Sequence, residues 1–206
     1  MNKINKDEAL KVFCENLKKE GKKPTLLLHT CCAPCLSGCF ERLIEFFKVT
    51  VYFYNPNIDK KEEYEFRLKE TERLSRLYGL DFIKEEFSKE DFSSAVIGYE
   101  KEKERGARCD ICFNLRLNKT ADFALKNGYD YFATTLTLSP LKSAEKLNKI
   151  GKEIESLKGV KYLETDFKKR GGYARSIELS KTENLYRQNY CGCEFSKQTK
   201  KESLNV

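Results

Sequence analysis

Residues 25–35 have the sequence TLLLHTCCAPC, an apolar run that ends directly in a group of cysteines. The run Thr25–His29 is short and apolar, which predicts a buried strand. Pro34 suits the first turn of a helix, and residues 36–47 continue with helical spacing. The stretch therefore predicts a strand, a loop that contains thiols, and a helix.

The same alternation of strand and helix continues through most of the chain. Further strands are predicted at residues 49–54, 82–84, 131–134 and 161–163, and further helices at residues 6–19, 60–78, 108–126 and 143–157. This order predicts an α/β fold with a parallel sheet and right-handed crossovers. Such sheets bind ligands beyond the carboxyl ends of their strands. We therefore expect the Cys31 group and residues 134–139, which both follow strands, to lie at the same edge.

The length and composition predict one globular domain, residues 1–206. The chain is 40% hydrophobic, and no apolar run approaches the roughly 18 residues that span a bilayer. We divide it into an α/β core at residues 24–165 and a basic C-terminal segment at residues 166–206. The charged N-terminus lacks the pattern of a secretory signal, so we expect a cytoplasmic protein with no membrane partner. Thiols stay reduced in that compartment, where clustered cysteines indicate metal-binding or catalytic groups.

Positive charge is concentrated near the C-terminus. The formal net charge is +7, and residues 168–201 contain nine Lys or Arg and three Glu. Such a segment is either a solvated helix face or a surface that binds nucleic-acid phosphates. Tyr173, Tyr186 and Tyr190 are interleaved with these basic residues, where they could stack on bases or simply pack.

Eight of the nine cysteines occur in three close groups, and only Cys14 stands alone. The groups are Cys31-Cys32-x-x-Cys35 with Cys39 four residues further on, Cys109-x-x-Cys112, and Cys191-x-Cys193. Four thiolates from the first two groups can bind Zn²⁺ or a [4Fe–4S] cluster. These four candidate ligands are Cys31, Cys32, Cys109 and Cys112. An adjacent pair favours iron–sulfur, because structural zinc sites usually have two C-x-x-C knuckles.

Other polar residues near these groups have separate interpretations. Cys35 lies one helical turn from the adjacent pair and could bind a second metal, whereas Cys39 is more typical of packing. Asp110, inside the second pair, is a candidate carboxylate near a metal. His29 is the only histidine, either a base or a structural residue, and Asp166 is either a general acid or a capping carboxylate.

The pair Cys191 and Cys193 can bind metal or cycle between dithiol and disulfide. We favour the redox-active pair, and its basic neighbourhood should lower the pKa values of the thiols.

Five segments of the chain resemble the QueH-type epoxyqueuosine reductases. They are LLLHTCCAPC (26–35), YFYNPNI (52–58), RCDICFNLRL (108–117), TTLTLSPLKS (134–143) and DFKKRGGYARSIELSKTENLYRQNYCGCEFS (166–196). The match extends from about residue 24 to residue 196, and every cysteine group takes part in it.

The resemblance implies an oxidoreductase that uses a [4Fe–4S] cluster and no cobalamin. This family removes the epoxide oxygen of epoxyqueuosine as water, the last step of queuosine biosynthesis, at the wobble position of tRNA with a GUN anticodon. It implies a three-layer fold of the adenine nucleotide alpha-hydrolase-like (HUP, PP-loop-like) class, tRNA rather than DNA as the partner, and an unidentified electron donor.

The resemblance also implies roles for individual residues. Cys31, Cys32, Cys109 and Cys112 would hold the cluster. Cys191 and Cys193 would be the redox-active pair, and an additional adjacent iron would have Cys35 and Asp110 as its nearest candidate ligands.

Two alternative functions remain open at the level of sequence. A zinc-stabilised RNA-binding module would account for the thiolates and the charge, but not for the surplus Cys35 or the C-x-C pair. A PP-loop-type tRNA sulfur-transfer enzyme would need an ATP-binding loop. The sequence has neither G-x-x-x-x-G-K-S/T nor G-x-G-x-x-G, which weighs against that alternative.

Overall fold

The computed structural model describes residues 5–196, and within them five strands form one parallel sheet. In chain order the strands are β1 (Thr25–His29), β2 (Lys48–Phe53), β3 (Asp81–Lys84), β4 (Tyr131–Thr134) and β5 (Lys161–Tyr162). Their order across the sheet is β3-β2-β1-β4-β5. Strand β1 is therefore central, and the strand order reverses between β1 and β4. The predicted parallel α/β architecture is confirmed.

Helices cover both faces of this sheet. They are α1 (Lys6–Lys19), α2 (Ala33–Ser37), α3 (Lys61–Leu77), α4 (Lys89–Ala95), α5 (Ala107–Lys126), α6 (Ala144–Lys158) and α7 (Gly172–Thr182). Alternate residues of β1 enter different cores: Leu26 and Leu28 pack in one, and Leu27 packs in the other. This is the two-residue period of a strand that is buried on both faces. The result is three layers, and no described helix is long and apolar enough to cross a membrane.

The helix predicted at residues 36–47 is wrong as a continuous element. Helix α2 ends at Ser37, and a separate 3₁₀ helix follows at Phe40–Arg42. The interruption lies at Gly38, the C-cap residue of α2, because glycine is a poor helix former. Glycine is required there by the close approach of α7, since a Cβ atom at Gly38 would lie 2.8 Å from the carbonyl oxygen of Gly172. The sequence also predicts a loop at residues 134–139. In the structure, Thr135–Leu138 within this stretch forms a second 3₁₀ helix.

The start of the basic C-terminal segment is fixed to helix α1. Asp7 is buried and accepts hydrogen bonds from both Arg42 and Arg170. Lys168 forms an ion pair with Asp166 over 2.9 Å. Two of the three consecutive basic side chains at 168–170 therefore have internal partners, and Lys169 is exposed. The end of the predicted segment, residues 197–206, and residues 1–4 lie outside the described part of the chain.

Candidate functional site

The first group of cysteines lies where β1 passes into α2. Cys32 is the extended N-cap residue of α2, and a proline occupies the first turn. The Sγ atoms of Cys31, Cys32 and Cys35 all lie within 4.8 Å of one another. One helical turn separates Cys35 from the adjacent pair, so local geometry alone brings the three thiols together. Such a set of soft donors fits a metal centre.

This loop meets the loop after β4, as predicted. The Sγ atom of Cys31 lies 4.0 Å from the Oγ1 atom of Thr135. His29 is paired with Thr134 in the parallel register of β1 and β4. Both loops therefore occupy the carboxyl edge of the sheet at the point where the strand order reverses, which is where α/β sheets bind ligands.

The three thiols strongly influence one another. Hydrogen bonds from the Cys32 and Cys35 thiols hold the pKa of Cys31 well below its usual range. The same contacts raise the pKa of Cys35 well above its usual range. The cluster of thiols therefore favours one negative charge on Cys31 over equal ionisation of all three.

A cavity of about 200 Å³ opens beside this loop, and we call it the first cavity. It is lined by the thiol group Cys31, Cys32 and Cys35, by the basic side chains Arg67, Arg116, Lys142 and Arg187, and by Tyr173, Gln188, Tyr190 and Cys191 among others. The concentration of cations around thiols suits an anionic metal–thiolate centre or an anionic substrate.

The second group of cysteines lines an adjoining cavity of about 180 Å³, the second cavity. Its thiols are Cys109, Cys112, Cys191 and Cys193. Cys109 and Cys112 begin helix α5, and burial raises the pKa of Cys112 to about 11. Asp110 also lines this cavity: its Oδ2 atom accepts from Lys146 at 2.7 Å, and its Oδ1 atom is buried with no hydrogen-bond partner among the described residues.

Both cavities share part of their lining, including Cys191 and Lys142. The fold thus gathers all three cysteine groups at one edge of the sheet. The predicted ligands are divided between the two cavities: Cys31, Cys32 and Cys35 line the first, whereas Cys109, Asp110 and Cys112 line the second. The joint role of Cys31, Cys32, Cys109 and Cys112 at a cluster, and that of Cys35 and Asp110 at a second iron, stay predictions. The available donors, thiols and one unsatisfied carboxylate oxygen, fit iron or an iron–sulfur cluster.

The C-x-C pair is held by helix α3. Arg67 is buried, forms an ion pair with Glu63 at 2.7 Å and donates a hydrogen bond to the carbonyl oxygen of Cys191 at 3.1 Å. Gly192 has a φ of +109°, a backbone conformation that residues other than glycine rarely adopt. Both cysteines are free thiols. The expected lowering of thiol pKa is wrong for Cys193, since burial raises its pKa to about 12.

Sequence reasoning missed Arg116, which is only 1% exposed. Its guanidinium donates to Asn55 Oδ1 at 2.5 Å and lies 3.3 Å from the Nε2 atom of His29. Its position was visible in the sequence, because Phe113, Arg116 and Leu117 lie on one face of a helix with an apolar stripe. An arginine in an apolar stripe indicates a buried charge with a specific partner.

His29 is a structural residue in this site. It is fully buried, its Nδ1 atom lies 2.9 Å from Thr134 Oγ1, and its Nε2 atom lies 3.0 Å from the Tyr54 carbonyl oxygen. Burial lowers its pKa to about 3, so the ring is neutral at physiological pH. Cys39 and Cys14 pack in the hydrophobic core, away from both cavities.

Comparison with known proteins identifies similar sequences over most of the chain. The family model described as "Epoxyqueuosine reductase QueH" matches residues 26–199. Three relatives that have this same name come from Streptococcus pyogenes serotype M1, Staphylococcus epidermidis and Thermotoga maritima. The S. pyogenes protein is 38% identical, and the match covers 94% of this chain and 78% of the relative. The S. epidermidis protein is 40% identical, with 94% of this chain and 85% of the relative covered. The T. maritima protein is 41% identical, with 84% of this chain and 90% of the relative covered.

Solved structures are similar in fold. The U34-tRNA thiolase NcsA from Methanococcus maripaludis with its [4Fe-4S] cluster has a TM-score of 0.51 at 14% identity, covering 95% of this chain and 74% of its own. A predicted subunit of tRNA methyltransferase from Methanocaldococcus jannaschii has a TM-score of 0.50 at 14% identity, covering 76% and 74%. These likenesses confirm the predicted adenine nucleotide alpha-hydrolase-like fold class.

Proposed function

The chain belongs to the epoxyqueuosine reductase QueH family, and we propose on that premise that it reduces epoxyqueuosine to queuosine in tRNA. It is an oxidoreductase, and its substrate nucleoside stands at the wobble position of a GUN anticodon. The observation that supports this function most directly is Cys191, a free thiol that lines both cavities. A redox-active thiol at that point adjoins both groups of candidate metal ligands. The reaction is cytoplasmic, and the chain acts as one domain.

The proposed metal ligands come from both cavities. Cys31, Cys32, Cys109 and Cys112 hold the [4Fe–4S] cluster, which supplies one-electron transfer when bound. Cys35 and Asp110 remain the candidates for an adjacent iron. The thiols within 4.8 Å of one another and the unpartnered Oδ1 atom of Asp110 support a metal centre at this edge. The buried Arg116 offsets part of the negative charge of the thiolates.

The C-x-C pair is the proposed store of two electrons. When Cys191 and Cys193 form a disulfide, they release two electrons and two protons. Arg67 fixes the backbone of this pair through the Cys191 carbonyl oxygen, so the sulfur atoms stay beside the cavities. An unidentified electron donor returns the disulfide to the dithiol after each turnover.

The tRNA substrate is bound through its phosphates and through the reacting nucleoside. Tyr173 lines the first cavity and is 38% exposed, with the Arg187 guanidinium 5.8 Å from its ring centroid. An exposed aromatic ring and a guanidinium next to a cavity suit a nucleobase that has left the anticodon stack. Exposed basic residues such as Lys169 suit contacts with the phosphates.

An anaerobic assay tests this function. The reconstituted protein is incubated with epoxyqueuosine-containing tRNA and a reductant, and the nucleosides are identified by mass after digestion. We expect queuosine to form and the protein to have the broad visible absorption of an iron–sulfur cluster. A colourless zinc protein that binds tRNA without product would support the RNA-binding alternative, and ATP-dependent sulfur incorporation would support the sulfur-transfer alternative.

A further inference from the structure

We propose that Lys142 is a catalytic residue that donates a proton to the epoxide oxygen as it leaves the substrate. The assignment rests on the proposed function and extends it, because deoxygenation of an epoxide needs a proton source as well as electrons.

The first argument is position. Lys142 lies between the 3₁₀ helix Thr135–Leu138 and helix α6, and its backbone N–H donates to the carbonyl oxygen of Ser139 at 3.2 Å. Its side chain lines both cavities, as Cys191 does. A substrate that reacts at Cys191 therefore occupies a cavity that Lys142 also lines.

The second argument is the surroundings of the charge. The first cavity places Lys142 together with the thiols of Cys31, Cys35 and Cys191 and with the guanidinium of Arg116. Among residues 5–196, its ammonium forms no ion pair with a carboxylate and donates no hydrogen bond. Lys142 is half-buried, and an ammonium group with three unused donors is costly in such a place unless a ligand accepts from it.

The nearby lysine provides a contrast. Lys146 lies one helical turn away, lines only the second cavity, and forms a 2.7 Å ion pair with Asp110. The fold therefore neutralises one of these two ammonium groups with a carboxylate and leaves the other facing thiols and open space. This difference points to a substrate atom as the missing partner of Lys142.

Other acids in the region are less suited to the role. His29 is sealed in the core with contacts at both ring nitrogens. Asp166 is paired with Lys168 and lines neither cavity. Glu104 also lines both cavities, and a carboxyl group is a general acid of another chemical type. Glu104 is the one competing group that an experiment must separate from Lys142.

The reaction balances with the groups named. Both C–O bonds of the epoxide break, a C=C bond forms between the two carbons, and the oxygen leaves with two protons as water. The two electrons come from the Cys191 and Cys193 thiols, which form an S–S bond and release two protons. Lys142 delivers a proton to the oxygen, which becomes strongly basic as its first C–O bond breaks, and regains a proton from those released by the thiols.

The test compares single turnovers of three proteins under anaerobic conditions: wild type, Lys142→Met and Lys142→Arg. Methionine keeps the packing and removes the charge, whereas arginine keeps the charge but does not release a proton in proteins. We expect both variants to form queuosine at least about 100-fold more slowly than wild type. Iron content, the visible spectrum and tRNA affinity should match wild type in both. Lys149→Met, which changes an exposed lysine of helix α6, is the control and should react at the wild-type rate.

Four outcomes would overturn the assignment. A near-wild-type rate in Lys142→Arg would mean that charge alone is needed. A larger loss in Glu104→Gln than in Lys142→Met would assign the proton to Glu104. Loss of iron in Lys142→Met would make Lys142 a structural residue of the metal centre. If the wild-type protein itself forms no queuosine, the proposed function fails as a whole, whereas an active wild type with an equally active Lys142→Met refutes only this assignment.

Discussion

The side-chain amide of Gln188 donates a hydrogen bond to the Cys32 thiol, with 2.8 Å between Nε2 and Sγ. This contact joins two parts of the chain that are 156 residues apart in sequence. Gln188 precedes the C-x-C pair by three residues, so the bond fixes the segment that brings Cys191 to both cavities. The amide is thus both a structural tie and a direct contact with a candidate cluster ligand.

Replacing Gln188 with leucine should lower the reduction potential of the cluster. A hydrogen bond to a ligating sulfur stabilises the more negative reduced state, so its loss favours the oxidised state. A redox titration followed by electron paramagnetic resonance measures the change. Tyr186→Phe is the control, because Tyr186 lies in the same segment but packs against Phe66. An unchanged potential in Gln188→Leu would indicate that Cys32 does not bind the cluster.

Cysteine-to-alanine variants should separate ligands from packing residues. Cys109→Ala should lose the visible absorption and most of the iron, because a cluster ligand is removed. Cys39→Ala should keep both, since Cys39 is fully buried in the core and lines neither cavity. Its thermal stability should fall modestly, by about 1 kcal/mol for the small cavity created. Iron analysis and thermal unfolding measure these effects, and full iron in Cys109→Ala would remove that residue from the ligand set.

Cys193→Ser should abolish multiple turnover and leave the cluster in place. One remaining thiol cannot form the disulfide, so the two electrons cannot be stored or passed on. Iron per chain and queuosine formed per enzyme, measured on the same preparation, test both parts. Loss of iron would make Cys193 a metal ligand, and full turnover would show that the pair is not required.

Gly192→Ala should reduce the free energy of unfolding by about 1–3 kcal/mol. Gly192 has a φ of +109°, and an added Cβ atom would lie 3.0 Å from Ile58 and 3.2 Å from Arg67. Gly128→Ala is the comparison, because Gly128 has a φ of +70°, within the left-handed helical region, and nothing within 4 Å of the added atom. Urea unfolding should show the larger loss for Gly192→Ala, whose φ lies outside that region and whose added atom meets two neighbours. Equal losses in the two variants would contradict this prediction.

The affinity for tRNA should fall steeply as salt increases, because phosphate contacts release counterions. Lys169→Ala should reduce the slope of log affinity against log salt by about 1 if Lys169 meets one phosphate. Arg170→Ala should act on stability instead, since within residues 5–196 it leaves the buried Asp7 with Arg42 as its one remaining ionic partner. Filter binding at several salt concentrations and thermal unfolding distinguish these effects. A slope that Lys169→Ala leaves unchanged would mean that the phosphates are bound elsewhere.

Hydrophobic periodicity predicted most of the helices and strands, because the spacing of apolar residues along a segment shows which side of that segment is buried. Helix α1 and strand β1 have the predicted bounds, and α5 begins one residue before its prediction. The prediction failed at residues 36–47, where the apolar spacing continues but helix α2 ends beside Gly38, the point of close approach to α7. That approach involves residues more than a hundred positions away, so no local pattern contains it.

The sequence by itself determined the parallel α/β fold and the grouping of Cys31 with Cys32 and Cys35, because both depend on spacing over a few residues. Only the tertiary structure decided what these groups face. Lys142 and Cys191 line the same two cavities because strand order and the packing of the C-terminal segment bring them there. The hydrophobic period of a segment shows which of its faces is buried. The partner of that face depends on contacts between segments that are far apart in the sequence. The basic residues around the thiols come from such distant segments, so only the tertiary structure identifies them.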